Sequence, residues 1–148
     1  MKKLLAILLL SPLIQSEIIE YYCDMEAYDY LTLKIDDDPN NKSFVIENSV
    51  SISKVGNKNF IADVDNIKIM PITIFVLKEN SDDYLAEMYE FNRLTNVLIY
   101  EPFVTKNRIE KKLLEEYKSF IKSDSNIGEK DGSSYYFYLC QPIKNNNP

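Results

Sequence analysis

Strict alternation of apolar and polar residues is the feature that most constrains this fold. In residues 30–35, YLTLKI, alternation would place Leu31, Leu33 and Ile35 on one face of a strand and polar side chains on the other. A period of two is typical of a half-buried β-strand. Similar runs recur along the chain between turn-forming residues, so we expect a mainly β protein. The hairpin-like order predicts an antiparallel meander that forms a small barrel or a sandwich.

One segment breaks the alternation. Residues 67–77, IKIMPITIFVL, are apolar on both faces from Met70 to Leu77, apart from Thr73. Such a strand is typically central and covered on both sides. Because proline cannot donate to an interior ladder, we expect Pro71 to start the strand or mark a bulge.

A helical period appears only late in the chain. We therefore predict one amphipathic helix over about 106–122, packed on the sheet and capped at its N-terminus by Thr105. The apolar residues at helical spacing are Ile109, Leu113, Leu114, Tyr117, Phe120 and Ile121.

The N-terminus has the pattern of a secretory signal peptide. Lys2 and Lys3 precede an apolar stretch that ends at the small residue Ser16. A membrane-spanning helix needs about 20 apolar residues, which is longer than this stretch. We expect residues 1–16 to be a signal peptide, 17–142 a single β-rich domain, and 143–148 a disordered tail. The predicted location is secreted or periplasmic, with no stable membrane span after cleavage.

Two cysteines lie near opposite ends of the predicted domain. Cys23 and Cys140 would most simply form one disulfide in an oxidising compartment. A reactive thiol is the alternative, but acidic and aromatic neighbours do not stabilise a thiolate.

The charge balance limits the classes of partner. The chain has 17 Lys and Arg residues against 23 Asp and Glu residues, a net charge of −6. An acidic chain is poorly suited to nucleic acids or anionic membranes, which attract basic clusters. It also has no histidine, the commonest general base and zinc ligand. We predict no catalysis and no cofactor, and expect the partner to be an unknown protein or a small apolar ligand.

A possible calcium loop lies within IDDDPNNKSFVIE, residues 35–47. Asp36, Asp38, Asn40 and Glu47 fall at positions one, three, five and twelve of an EF-hand loop. The required glycine is replaced by Asn41, and strand-like runs flank the segment where helices are needed. We favour a hairpin turn whose Asp and Asn side chains bind local backbone donors.

Tyrosine is abundant, with 11 residues and no tryptophan. Because tyrosine joins an apolar face to a polar tip, it is enriched at binding surfaces. The segment DDYLAEMYE suggests Tyr84, Met88 and Tyr89 as a possible binding surface. The alternative is that these tyrosines serve only as good strand formers.

Residues 89–101, YEFNRLTNVLIYE, resemble a hairpin in a group of small exported bacterial proteins of unknown function. Those proteins have a signal peptide, a strand meander, a late Asn/Asp-Arg-x-Thr-Gly turn and a terminal cysteine pair. Asn92, Arg93 and Thr95 match that turn, while Asn96 replaces its glycine. The resemblance implies a structural turn, with Arg93 paired to a nearby strand carboxylate. Relative to that pattern, the helix looks like an insertion.

The Tyr21-Tyr22-Cys23 start is also similar to that of small-barrel periplasmic lysozyme inhibitors, although their Ser-Gly inhibitory loop motif is missing. Three functions therefore stay open: a disulfide-linked binding or interaction protein, a small-molecule or lipid carrier, and an inhibitor of an envelope hydrolase. A carrier would need an enclosed cavity inside a barrel. A cavity lined by residues such as Phe60, Ile72, Ile74 and Phe137 would favour this alternative.

Overall fold

The computed structural model describes residues 17–25, 29–50, 59–79, 85–104, 108–123 and 136–144. Within these ranges the chain forms nine strands, one α-helix and a short 3₁₀ helix at Val64–Asn66. The elements are β1 (Ile19–Met25), β2 (Asp29–Asp36), β3 (Ser43–Val50), β4 (Phe60–Ile61), β5 (Ile67–Ile69), β6 (Thr73–Glu79), β7 (Leu85–Asn92), β8 (Val97–Val104), α1 (Arg108–Lys122) and β9 (Tyr136–Pro142).

The nine strands form one antiparallel sheet in the order β4-β3-β2-β1-β9-β8-β7-β6-β5. The sheet curls into a half-barrel with the helix packed on it, which confirms the predicted mainly β meander with one late helix. Residues 62–66 run directly from edge strand β4 to edge strand β5. So short a connection spans at most about 20 Å, so the curl must bring the two edges of the sheet close together.

A β-bulge contributes to this curl. The register between β2 and β3 shifts between the pairs Tyr30–Val50 and Thr32–Glu47. Asn48, on the longer side of the shift, has φ 50°, a left-handed conformation that asparagine tolerates well. Because an extra residue bends its strand and increases the local twist, the bulge favours a curved sheet over a flat one.

The interior of the half-barrel is filled by side chains. Leu31, Leu33 and Ile35 are buried there, as their alternation predicts. Aromatic rings cross from one half of the sheet to the other: the Tyr89 ring centroid lies 5.0 Å from that of Phe60 and 6.0 Å from that of Phe44. These contacts join strands that are far apart in the sheet order.

Helix α1 covers the outer face of the sheet near β5, β6 and β7. Its buried residues Tyr117, Phe120 and Ile121 pack on Leu77, Ala86 and Met88. Lys118 of the helix forms a 2.7 Å ion pair with Glu79 at the end of β6. The helix begins at Arg108 in the structure, and the proposed cap Thr105 lies outside the described residues.

The apolar segment 67–77 is two strands, which corrects the prediction of one. The Met70 N–H donates to the Thr73 carbonyl, closing a tight turn that contains Pro71. Proline suits this turn because it has no N–H to donate to a ladder. The predicted two-sided burial applies to β6, where Val76 faces the barrel interior and Leu77 faces the helix.

The predicted chain ends are only partly described. Residues 1–16, the expected signal peptide, lie outside the described residues, as do 145–148. Ile143, assigned to a disordered tail, instead donates its backbone N–H to the Glu20 carbonyl at 2.8 Å. No helix in the described ranges is both long enough and apolar enough to cross a membrane.

Candidate binding surface

The predicted disulfide is present and links the first strand to the last. Cys23 and Cys140 lie directly opposite each other in the β1–β9 register, with Cα atoms 4.0 Å apart. The Cys140 N–H donates to the Asn96 carbonyl, on the side away from β1. The two cysteines therefore form a non-hydrogen-bonded pair, the closely spaced kind of cross-strand pair. Both are buried in the core.

The candidate calcium loop is the β2–β3 turn. Its carboxylates bind the turn itself: Asp36 Oδ1 accepts from the Asp38 N–H, and Asp38 Oδ1 accepts from the Asn40 N–H. Glu47 lies on β3, where it pairs with Lys34 at 2.8 Å. The preferred interpretation, a turn stabilised by local side-chain bonds, is confirmed. No cluster of three or more Asp, Glu, Cys or His side chains suited to a metal occurs among the described residues.

The turn at Arg93–Asn96 joins β7 to β8. Asn92 Oδ1 accepts the N–H groups of Leu94 and Thr95, and Asn96 adopts the left-handed conformation with φ 55°. These bonds confirm that the segment is a turn.

Arg93 has a wider role than the expected pairing with a strand carboxylate. Its guanidinium bonds to Asp37, in the β2–β3 turn, at 2.6 Å, and to the Met70 carbonyl in the β5–β6 turn. Three turns therefore meet at one side chain.

The binding surface predicted at Tyr84, Met88 and Tyr89 is wrong for the two residues that the structure describes. Met88 is 1% exposed and Tyr89 is 0% exposed. Tyr89 points into the half-barrel, while Met88 lies beneath α1. Strand β7 is covered on both faces, which local alternation cannot reveal. Tyr84 lies outside the described residues.

A polar pair is buried inside the half-barrel near Tyr89. Glu87 Oε1 accepts a 2.6 Å hydrogen bond from the Tyr100 hydroxyl. Its Oε2 lies 3.1 Å from Lys78 Nζ, an ion pair without a well-aligned hydrogen bond. Burial, followed by the bond to Glu87, raises the pKa of Tyr100 well above its ordinary value. Glu87 is therefore paired within the half-barrel and is not presented to a partner on the surface.

Among the described residues, the exposed aromatic side chains lie on the other half of the outer face, on β1, β2 and β9. We define the outer patch as Tyr22, Tyr30, Phe137 and Leu139, whose exposed fractions are 44%, 39%, 53% and 64%. The rings of Tyr22 and Tyr30 stack with centroids 6.0 Å apart. Helix α1 lies over β5 to β7, so it does not shield these side chains.

Strand register makes the outer patch continuous. Asp24 of β1 pairs with Tyr30 on one side and with Leu139 on the other. Leu139 pairs in turn with the half-buried Val97 of β8. Because paired residues of adjacent strands share a face, these four side chains form one row across the sheet.

Acidic groups surround the outer patch. Asp24 is an exposed carboxylate within its central row. On the same face, Lys34 pairs with Glu47 at 2.8 Å and lies 3.9 Å from Glu20. The hydrogen bond to Glu47 raises the pKa of Lys34. Two carboxylates share this one lysine, and Asp24 adds a further negative charge.

The residues expected to line a carrier cavity do not lie together. Ile74 is buried in the core and Phe60 packs against it. Ile72 is exposed in the β5–β6 turn, and Phe137 belongs to the outer patch. These four residues therefore do not line a common cavity, which is the arrangement that would have favoured a carrier.

Comparison with protein families, with curated proteins and with solved structures found no match to this chain.

The sequence contains a signal for the outer patch that the prediction did not use. The alternation in β1 that buries Tyr21 and Cys23 necessarily turns Tyr22 and Asp24 outward. Which outward faces stay uncovered depends on the position of α1, which is a tertiary property.

Proposed function

We propose that this protein is an exported, non-catalytic binding protein that uses the outer patch to recognise a basic protein surface. The observation that carries the proposal is the stacked, exposed pair Tyr22 and Tyr30 beside Leu139. Exposed aromatic and apolar groups on a rigid sheet are typical of protein interfaces. The buried disulfide fits an oxidising compartment.

The charge pattern favours a basic partner. Asp24 lies between Tyr30 and Leu139 in the row, so a cation that pairs with Asp24 would also lie over an aromatic ring. Arginine suits this position because its planar guanidinium pairs with carboxylates and stacks on aromatic faces. The overall acidic charge would speed the encounter with such a partner. Inhibition of a basic envelope hydrolase would be one form of this recognition.

The carrier alternative has less support. Its predicted lining is divided between the core, a turn and the outer face, and aromatic side chains such as Phe44, Phe91 and Tyr89 occupy the half-barrel interior. We therefore prefer recognition through the outer surface.

Site-specific photocrosslinking in the cells that export the protein tests this proposal. A photoreactive phenylalanine analogue replaces Tyr22, and the matched control carries it at Ile61, which is exposed on β4. We expect one basic protein to crosslink at position 22 and not at position 61. Asp24→Asn should lower the yield about tenfold, as for loss of an interface hot spot, while Asp65→Asn, an equal charge change elsewhere, should not.

Three outcomes would overturn the proposal. The first is a crosslink to a second copy of the chain, which would make the outer patch a dimer interface. The second is an adduct whose yield does not change with Asp24→Asn. The third is the lack of any adduct specific to position 22.

A further inference from the structure

A second candidate site shares no residue with the outer patch and lies where β5, the β2–β3 turn and the end of α1 meet. The structure has a cleft of about 310 Å³ there, within the size range of small-molecule sites. We define the lysine cleft by its lining residues: Pro39, Lys42, Ile67, Lys68, Ile69, Ile121, Lys122 and Ser123.

The lysine cleft concentrates positive charge on an acidic protein. Three lysines line it although the whole chain carries a net charge of −6. Lys42 Nζ donates at 2.7 Å to the Ile67 carbonyl, which holds the ammonium in place without cancelling its charge. Within the described part of the chain, neither Lys42 nor Lys122 forms an ion pair with a carboxylate.

The helix end does not cancel this charge. The C-terminus of a helix carries a partial negative charge on its last carbonyls. Lys68 Nζ binds two carbonyls at this end, those of Phe120 at 2.9 Å and Ser123 at 2.6 Å. Because Lys68 compensates the partial negative charge of the helix terminus, the positive charges of Lys42 and Lys122 can attract an anion that enters the cleft.

Apart from the lysines and Ser123, the lining is apolar. Pro39 is exposed and Ile69 is half-buried, so these two residues present most of the apolar surface, whereas Ile67 and Ile121 are buried. A bare inorganic anion would use the lysines but would leave the accessible surface of Pro39 and Ile69 in water. A neutral apolar molecule would leave the ammonium groups without a partner. The combination suits a molecule that has both an anionic head and an apolar body.

We propose that the lysine cleft binds a small organic carboxylate, with Lys42 and Lys122 holding the carboxylate and Pro39 and Ile69 contacting the apolar part. This site is separate from the outer patch and does not depend on the function proposed for it.

Titration with octanoate, followed by the isoleucine methyl signals in NMR spectra, tests this proposal on the full exported chain. We expect a saturable shift at Ile69, with smaller shifts at the buried Ile67 and Ile121 of the same lining. Octanol, which lacks the charge, and inorganic phosphate, which lacks the apolar part, should each bind at least tenfold more weakly. Lys122→Gln should weaken octanoate binding about tenfold, the value of one charge-assisted hydrogen bond.

Variants and controls separate binding from folding. Lys122 lies at the helix end, so its substitution should leave the fold intact; Lys42→Gln provides a second test. The matched control is Lys112→Gln, on the exposed face of the same helix. Equal binding of octanol and octanoate, unchanged binding by Lys122→Gln, or shifts confined to other methyl groups would each overturn the proposal.

Discussion

Individual tyrosines inside the half-barrel are held in the neutral form. Burial, and next the Glu87 carboxylate, raises the pKa of Tyr89 well above its ordinary value. For Tyr138, burial is again the main cause of the raised pKa, followed by the charge of Asp29. With Tyr100, these residues couple the stability of the fold to pH.

We predict that the free energy of unfolding is nearly constant between about pH 7 and pH 9 and falls above about pH 10. The unfolded chain loses its tyrosine protons near pH 10, whereas the folded chain keeps those of Tyr89, Tyr100 and Tyr138, so rising pH favours unfolding. Each such tyrosine contributes a slope of about 1.4 kcal/mol per pH unit. Denaturant unfolding at a series of pH values measures this slope.

Tyr100→Phe gives a direct check of that assignment. At neutral pH it should cost about 1–2 kcal/mol, because Glu87 Oε1 loses its donor. Above about pH 10 the variant should lose stability less steeply than the wild type, since one titrating group is gone. An unchanged alkaline slope would show that Tyr100 is not one of the groups responsible.

Residue alternation predicted burial well where one face of a strand meets the core. Leu31, Leu33 and Ile35 are buried as expected. The same reasoning failed for Met88 and Tyr89, because a strand covered on both faces has no outward side. Met88 is covered by α1 and Tyr89 by the curled sheet, and both arrangements depend on contacts remote in sequence.

Among the elements, turns at one end of the half-barrel are joined by Arg93. Its backbone N–H donates to the Ile72 carbonyl at 2.8 Å, in addition to the side-chain bonds to Asp37 and Met70. The β2–β3 and β7–β8 hairpins lie on opposite sides of the β1–β9 pair in the sheet order. Arg93 therefore links two parts of the sheet that are not hydrogen-bonded neighbours.

We predict that Arg93→Ala lowers the free energy of unfolding by about 1–2 kcal/mol. The partly exposed ion pair with Asp37 contributes less than the hydrogen bond to the Met70 carbonyl, because solvent screens it. Thermal and denaturant unfolding measure the loss. Lys112→Ala, which breaks the exposed Lys112–Glu116 pair on α1, is the control and should change stability by less than about 0.5 kcal/mol.

A double-mutant cycle with Asp37→Asn shows how much of the stability lost in Arg93→Ala comes from the contact with Asp37. If Arg93 joins the two turns, the losses from Arg93→Ala and Asp37→Asn should not be additive. Additive losses would place the effect of Arg93 in the β5–β6 turn alone.

Element types were easier to predict than their arrangement. The helix and most strands follow from the period of the apolar residues. The turn at Asn96 follows from the tolerance of asparagine for the left-handed conformation. The position of β9 between β1 and β8 could not be predicted in this way, because it returns from the end of the chain to the middle of the sheet. Local pattern also cannot show that Arg93 reaches Asp37.

At the scale of the whole molecule, the disulfide links the first and last strands of the sheet. Cys23 and Cys140 are 117 residues apart in sequence. Closing so long a loop restricts the unfolded chain strongly. The bond also lies at the β1–β9 pairing, where the N-terminal strands β1–β4 meet the rest of the sheet.

We predict that the double substitution Cys23→Ala and Cys140→Ala lowers the free energy of unfolding by about 2–5 kcal/mol. This corresponds to a fall in Tm of roughly 8–20 °C for a domain of this size. Calorimetry of the oxidised wild type and the variant measures the difference. Addition of reductant should destabilise the wild type and leave the variant unchanged, whereas equal melting of both oxidised proteins would contradict the prediction.

The same bond has a mechanical consequence. Suppose the molecule is pulled between residue 17 and residue 144, which flank the disulfide closely in sequence. The load would pass along a few residues of β1, through the sulfur–sulfur bond, and out along the end of β9. The other seven strands and the helix would carry almost none of it. Tension applied at those two points would therefore leave most of the sheet folded, and only reduction of the disulfide would expose it to the force.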